Sequence, residues 1–336
     1  MSKTRRVVWR AGAAVVVCAV AAAVTGGIAT VVMTRQGSPE RLRSRAGSLT
    51  SLATAPLRSL QDSRLETLDL QSSSGLTVHG LMRVPRDTQP PYAGAVLIGG
   101  IKRGSRLIGV AGLDTIARRA VIVSPDYPLR LRHDSWRGVA ALRTLTQVRP
   151  AALDTVSDVL LLIDYLARRP DVDPHRIFLI GGSLGAVVAA VAGGVDTRPA
   201  AVVLLYGGGN LGSLIAHTLR HPAQDAPVAS GLAPLVGYAL AWWLTPLAPE
   251  RYAPAISPRT LIMINGADDS LVPRRYAVAL HRAAREPKEL IWVSGEHVEP
   301  SESALLERLS GLVTARLLAH GLLGEAASDA RIDERR

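Results

Sequence analysis

A single serine separates a strand-like run of the sequence from a helix-like run, and glycines stand on both sides of it. Residues 181–185 read GGSLG; they follow the apolar run 176–180 and lead into the small-residue run 184–192. The G-x-S-x-G spacing is typical of a tight strand-to-helix turn, where bulky side chains two positions before and after the serine would collide. Ser183 at such a turn can act as a nucleophile, and the backbone N–H of Leu184 can stabilise an oxyanion.

A serine nucleophile needs a general base and an acid that orients the base, because its hydroxyl is unreactive at neutral pH. In chains with this turn the order is serine, then Asp or Glu, then His. Residues 265–273 (NGADDSLVP) and 294–298 (SGEHV) follow the last two strand-like runs. Of the eight histidines, His297 is the only one that follows a C-terminal strand, and His133 is the rival at the same sheet edge. The order therefore predicts His297 as the base and an aspartate of the first loop as the acid.

The elements that must position these groups alternate between strand and helix. Short apolar runs separated by helical patterns indicate a mostly parallel sheet that is covered by helices on both faces. Ligands bind at the carboxyl ends of the strands in such sheets, where the serine and both loops are expected. The predicted strands are 65–71, 76–84, 93–98, 120–124, 176–180, 200–205, 260–264 and 289–293, the first two forming a hairpin. The predicted helices are 107–118, 152–167, 184–192, 273–284 and 303–319.

From about residue 65 to residue 322 the chain resembles an α/β-hydrolase. It is most similar to the dienelactone-hydrolase-like and acyl-CoA-thioesterase-like esterases. The matching stretches are DPHRI leading into GGSLGA, ISPRT leading into GADDSLVP, and GEH. The resemblance implies an α/β-hydrolase fold, a Ser-His-Asp triad, and a reaction that needs neither a metal nor a cofactor.

The resemblance also assigns two groups that the order alone leaves open. The G-x-x-D-x-x-V-P pattern of the family falls on residues 266–273, which implies Asp269 as the acid, with Asp268 as the adjacent alternative. The second oxyanion donor of the family comes from the loop after the third strand. By position this donor is the N–H of Ile101, with Gly100 as the alternative. Gly99 stands where the family often carries a histidine.

The N-terminal segment is typical of a membrane anchor or an export signal. Residues 11–33 contain no charge, and that length can cross a hydrocarbon core of about 30 Å. Basic residues precede the segment, and small residues within it could form a cleavage site. We expect a membrane-anchored protein with an extracytoplasmic catalytic domain, or an exported one, in a bacterial cell envelope.

The net charge of +11 does not by itself indicate a nucleic-acid partner. The basic residues are mostly arginines, they are scattered along the chain, and no basic patch is interleaved with aromatic residues. The only cysteine is Cys18, so one chain can form neither an internal disulfide nor a cysteine-based metal site. The expected partners are a small-molecule or lipid-like acyl substrate and a membrane. The oligomeric state is not predicted.

An insertion after the sixth predicted strand is the usual place for a cap over the site. It contains the apolar run 232–244 (LAPLVGYALAWWL). One interpretation of this run is an ordinary core helix. The other is an acyl pocket or a membrane-facing lid, in which Tyr238, Trp242 and Trp243 bind substrate.

The sequence thus predicts a serine hydrolase that cleaves carboxylic ester or thioester bonds through an acyl-enzyme intermediate. A serine peptidase or an acyltransferase with the same triad is the alternative. A non-catalytic binding protein of this fold is less favoured, because all three triad members occur in order. The expected organisation is a basic tail (1–10), a transmembrane or signal segment (11–33), a linker (34–62), a hydrolase domain (63–322) with a cap at about 209–257, and a charged tail (323–336).

Overall fold

The computed structural model describes most of the chain as one layered α/β unit around a single large sheet. The described residues are 26, 27, 30, 32, 35–86, 88–100, 104–109, 111–129, 138–220, 233–298 and 303–324. Of the predicted segment 11–33, only four residues are among them, so that prediction lies almost wholly outside the described residues. Among the described residues, no helix has both the length and the apolar character needed to cross a bilayer.

Among the described residues, the sheet has nine strands in the order β1-β2-β3-β5-β4-β6-β7-β8-β9. The first three strands pair antiparallel, and β3 pairs antiparallel with β5. The remaining neighbours in this order, β5-β4-β6-β7-β8-β9, all pair parallel, as the apolar runs predict. The strands are β1 Leu49–Ser59, β2 Ser63–Ser72, β3 Thr77–Pro85, β4 Tyr92–Ile98, β5 Ala120–Pro125, β6 Val172–Gly182, β7 Ala201–Leu205, β8 Thr260–Gly266 and β9 Lys288–Val293.

Helices cover both faces of the sheet. Along β4, Val96 and Ile98 face one apolar core, whereas Ala95 and Leu97 face the other, because successive side chains of a strand alternate between faces. The first core also contains side chains of α1, α3, α4 and α7; the second contains side chains of α2 and α8. The helices are α1 Pro39–Ala46, α2 Asp114–Ala117, α3 Gly138–Arg168, α4 Leu184–Val195, α5 Leu211–Thr218, α6 Ala233–Trp243, α7 Arg274–Ala283 and α8 Ser303–Ala319.

The prediction that residues 34–62 form a linker is wrong. The segment contains α1 and the edge strand β1, and Leu42 of α1 is fully buried against the core. Ser157 Oγ of α3 donates to the Leu42 carbonyl, and Arg45 forms an ion pair with Asp154 of the same helix. Because the sequence does not predict β1, the sixth predicted strand is β7 of the structure. The insertion therefore follows β7.

Two further boundaries differ from the predictions. The predicted helix 107–118 is two 3-10 turns, Gly104–Gly109 and Ala111–Leu113, followed by the four-residue helix α2. At the other end, Leu323 is buried within the second core, so the folded unit extends into the predicted charged tail. The remaining residues of that tail, 325–336, lie outside the described residues.

Candidate active site

Ser183 lies at the turn between β6 and α4, at the carboxyl edge of the parallel sheet. Its backbone has φ 54° and ψ −115°, a conformation that residues with a side chain rarely adopt. The amide of Ser183 donates to the carbonyl of Leu205 on the neighbouring strand (2.9 Å). Its own carbonyl accepts from Ala186 in the first turn of α4 (3.0 Å). The strained conformation is thus fixed from both sides.

The two motif glycines of this turn are required by close backbone contacts. A Cβ at Gly181 would lie 2.2 Å from the carbonyl oxygen of Gly185. A Cβ at Gly185 would lie 2.1 Å from the carbonyl oxygen of Ile98. Gly182, between them in the sequence, has no such neighbour within 4 Å. The G-x-S-x-G spacing therefore follows from the packing of this turn against β4.

The structure brings Ser183, His297 and Asp269 into one hydrogen-bonded chain. His297 Nε2 lies 3.0 Å from Ser183 Oγ, and His297 Nδ1 lies 2.8 Å from Asp269 Oδ2. With Nδ1–H donating to the carboxylate, Nε2 is left to accept the serine hydroxyl. The imidazole is mostly buried, and the Asp269 carboxylate is fully buried. The rival histidine, His133, lies outside the described residues.

The acid loop that follows β8 fixes Asp269 in place. Its second carboxylate oxygen, Oδ1, accepts hydrogen bonds from the amides of Leu271 (2.9 Å) and Val272 (2.8 Å). These two donors satisfy the buried carboxylate on the side away from His297. The adjacent Asp268 has a different contact, since its Oδ2 accepts from the amide of Gly295 (3.3 Å). Asp269, rather than Asp268, is the aspartate that reaches the imidazole.

Glu296 and Tyr206 also help to position the loop of Asp269 and the ring of His297. Glu296 Oε2 accepts from the amide of Ser270 (2.9 Å), which ties the histidine loop to the acid loop. The buried ring of Tyr206 meets the ring of His297 edge-on, with centroids 5.3 Å apart. Tyr206 follows β7 with φ 56°, so it is a second strained residue at this sheet edge.

The loop after β4 lies beside the serine, where an oxyanion donor is predicted. A Cβ at Gly100 would lie 3.6 Å from the Cβ of Ser183, so the backbone of this loop approaches Ser183 closely. Tyr127 Oη donates to the carbonyl of Gly99 (2.5 Å) and holds the start of this loop. Burial raises the pKa of Tyr127 above its usual range, which keeps this donor protonated. Ile101 itself lies outside the described residues.

Leu184, the other predicted oxyanion donor, is the first residue of α4. The first amides of a helix have no partner within the helix, and the positive end of the helix dipole lies there. Leu184 is 41% exposed.

The predicted substrate residues lie on α6 of the insertion. Tyr238 is stacked over Gly212 of α5 and shares a hydrogen bond with Ser213 (2.9 Å). The indole Nε1–H of Trp242 donates to Thr30 (2.9 Å). These contacts lead to α5 and to the N-terminal segment, and Trp243 is half-buried on the same helix. None of the contacts just named reaches Ser183, His297 or Asp269, and the substrate-binding role of the three aromatic residues stays a prediction.

Sequence reasoning missed Tyr206, Tyr127 and Glu296 as parts of the site. All three follow strands of the parallel sheet: β7, β5 and β9 respectively. A polar or aromatic residue directly after such a strand is the signal that could have found them. Their partners could not be found this way, because each partner lies on a loop that is distant in sequence.

Comparison with known proteins yields sequence relatives and structural neighbours, but no family model matches the chain. An Escherichia coli protein described as "Uncharacterized protein YfhR" is 30% identical over 152 residues, which are 45% of this chain and 48% of that protein. The matched region thus spans about half the length of this relative. A Salmonella typhi protein of the same description is 26% identical over 235 residues, 70% of this chain and 75% of that protein.

Solved structures resemble the chain over most of its length. Acetyl xylan esterase 1 from a Thermoanaerobacterium species has a TM-score of 0.58 at 15% identity, covering 84% of this chain and 93% of that one. An acetyl xylan esterase from a Paenibacillus species has a TM-score of 0.57 at 17% identity, covering 82% and 92%. The α/β-hydrolase GrgF from a Penicillium species has a TM-score of 0.52 at 16% identity, covering 75% and 98%. Together with the sheet order and the strand-to-helix turn at Ser183, these likenesses show that the chain has the α/β-hydrolase fold.

Proposed function

We propose that this protein is a serine hydrolase that cleaves carboxylic ester bonds. The observation that carries the proposal is the hydrogen-bonded chain from Ser183 through His297 to the buried Asp269. The named structural neighbours that are described as acetyl xylan esterases support ester cleavage as the reaction class.

Acylation begins when Ser183 Oγ attacks the carbonyl carbon of the bound ester. His297 Nε2 takes the hydroxyl proton, and the imidazolium that forms is stabilised by the Asp269 carboxylate on Nδ1. The carbonyl oxygen becomes an oxyanion, which the amide of Leu184 and the predicted donor Ile101 stabilise. The carbon–oxygen bond to the leaving alcohol then breaks, and the alcohol takes the proton from His297 Nε2.

Deacylation repeats these steps with water as the nucleophile. His297 removes a proton from the water molecule, and the resulting hydroxide attacks the acyl-enzyme carbonyl. The ester bond to Ser183 breaks, the serine oxygen regains its proton from His297, and the carboxylic acid leaves. Thioesters react through the same steps, so the proposal includes them as a second substrate class.

Labelling by a fluorophosphonate probe tests the proposal, because the probe reacts with activated serines. We expect stoichiometric labelling of the wild-type protein and none of Ser183→Ala. Hydrolysis of p-nitrophenyl acetate, p-nitrophenyl palmitate and an acyl-CoA by the same preparation ranks short esters, long esters and thioesters. A folded wild-type protein that neither takes the label nor cleaves any of these substrates would contradict the proposal.

A further inference from the structure

The outer face of α6 carries a stripe of exposed apolar side chains. Leu235, Tyr238 and Trp242 are 69%, 57% and 42% exposed. Their spacing of three and four residues places them on one face of the helix. A run of large apolar groups on one helix face differs from the single exposed apolar residues that any soluble surface shows. We call these three residues the α6 stripe.

Another face of α6, which includes Gly237 and borders the stripe at Tyr238, packs closely on α5, so the stripe cannot turn inward. A Cβ at Gly237 would lie 2.7 Å from the Cβ of Ala216. On α5, a Cβ at Gly212 would lie 2.7 Å from the ring of Tyr238. Glycines at these positions let the two helices approach, and substitution or rotation at either would create clashes. The orientation of α6 is therefore fixed with its stripe outward.

The α6 stripe lies beside the end of the N-terminal apolar segment. Trp242 donates its indole N–H to Thr30, which belongs to the uncharged stretch 11–33. That stretch is long enough to cross a hydrocarbon core. Arg35, which follows it, is exposed and suits contact with anionic headgroups. The hydrogen bond thus joins the stripe to a segment that is predicted to lie in a bilayer.

We propose that the α6 stripe is a membrane-contact surface that lies in the interfacial layer of a lipid bilayer. Tyr and Trp are the residues that favour this layer, where one end of the side chain meets hydrocarbon and the other meets polar groups. In Tyr238 and Trp242 the polar atom is already hydrogen-bonded, to Ser213 and to Thr30 respectively, so placing either ring against lipid leaves no polar atom unpaired. Leu235 adds purely apolar area at the far end of the stripe.

This contact places the bilayer one helix away from the acid loop. α6 packs on α5, and His217 of α5 reaches the carbonyl of Ser270, the residue after Asp269 (2.7 Å). The proposal concerns where the protein docks, and it holds whether or not the triad cleaves esters.

Site-directed spin labelling of the full chain in vesicles tests the contact. The background variant is Cys18→Ser, and a nitroxide is attached through Leu235→Cys or, as a second position, Tyr238→Cys. The matched control is Leu57→Cys on the edge strand β1, where the leucine is 55% exposed. The vesicles contain phosphatidylcholine and phosphatidylglycerol in a three-to-one mixture, and collisions are measured with oxygen, which partitions into lipid, and with a water-soluble nickel chelate.

We expect labels at positions 235 and 238 to collide several-fold more with oxygen relative to the nickel chelate than the label at position 57. Thermal unfolding of each labelled variant verifies that it is folded. Labels on α6 that are as accessible to the nickel chelate as the control would overturn the proposal. Labels shielded from both reagents would also overturn it, because they would show that protein rather than lipid covers the stripe.

Discussion

At the scale of single residues, backbone strain is concentrated at the candidate site. Among the described residues, three that are not glycine have a positive φ: Ser183, Tyr206 and Asn210. The first two meet His297, one through its hydroxyl and the other through its ring. Such conformations cost of order 1–3 kcal/mol each and persist only where the surrounding structure enforces them. At Ser183 the close contacts of the glycines and the backbone hydrogen bonds of the turn enforce the strained conformation.

Two adjacent aspartates provide a matched test of the acid at this scale. Asp269→Asn should lower kcat by about 10⁴-fold, because the amide can no longer hold His297 in the tautomer that accepts the serine proton. Asp268→Asn should change kcat little, since the side chain accepts a single long hydrogen bond from Gly295. Steady-state kinetics on p-nitrophenyl acetate measure both. A larger loss of kcat for Asp268→Asn than for Asp269→Asn would show that Asp268 is the acid.

At the scale of elements, α5 of the insertion is hydrogen-bonded to the loop that carries Asp269. His217 Nε2–H donates to the Ser270 carbonyl (2.7 Å), and Arg275 of α7 lies 3.3 Å from its Nδ1. Tyr276 of α7 donates to the carbonyl of Ser213 on α5 (2.8 Å). The position of α5 is thereby coupled to the loop that carries Asp269.

His217→Ala should therefore lower kcat by about tenfold, as expected for losing one hydrogen bond that orders a catalytic loop. His217→Gln, whose amide can donate to the same carbonyl, should recover most of the loss. Thr218→Ala serves as a control on the same helix, because Thr218 bonds within α5. Equal kinetic losses for His217→Ala and Thr218→Ala would show that α5 acts only through its stability.

The packing of α1 against α3 contains a buried acid that should make stability depend on pH. Asp158 is buried, and its Oδ1 has no hydrogen-bond partner among the described residues. Burial raises the pKa of Asp158 to about 8; the neighbouring Asp154 adds to the rise and Arg45 opposes it. In the unfolded chain the pKa of an aspartate is about 3.9. The unfolded chain therefore loses this proton first as the pH rises, and stability falls between about pH 4 and pH 8.

Asp158→Asn should remove this loss, since an amide stays neutral at every pH. The free energy of unfolding of the variant, relative to the wild type, should rise by a few kcal/mol between pH 5 and pH 8. Chemical denaturation at both pH values measures the difference. Asp164→Asn is the control, because Asp164 lies on the same helix and is paired with Arg168 and Arg198. A stability difference that does not change with pH would contradict the account.

The sequence predicts the elements that carry a strong apolar pattern and misses those that do not. Eight of the nine strands in the described part of the chain follow from apolar runs or alternation, and the serine turn follows from glycine spacing. β1 has the sequence LTSLATAPLRS and is almost wholly exposed, so it shows no period that separates a buried face from a solvent face. Its pairing with β2 comes from backbone hydrogen bonds, which leave no mark on side-chain pattern.

Only part of the candidate site can be predicted from the sequence. The positions of Ser183, Asp269 and His297 relative to strands follow from their order along the chain. The edge-on contact of Tyr206 with His297 depends on how two strands are placed side by side, which no local spacing records.

At the scale of the whole molecule, the folded unit includes the segment between the N-terminal apolar stretch and β2. Leu42→Ala should destabilise the protein by about 2–5 kcal/mol, because Leu42 of α1 is fully buried in the apolar core. Leu57→Ala on the exposed edge strand should have little effect. Thermal unfolding compares the two variants. Equal small shifts would mean that α1 is a tether rather than part of the core.

The central claim is that Ser183 forms an acyl-enzyme during ester cleavage. Rapid mixing with p-nitrophenyl acetate, followed by acid quenching and mass spectrometry of the peptides, measures it most directly. We predict a burst of p-nitrophenol equal to the enzyme concentration and one acetyl group on the peptide that contains Ser183, both absent in Ser183→Ala. Turnover without an acetylated Ser183 peptide, or an acetylated Ser183→Ala variant that still turns over, would contradict the claim.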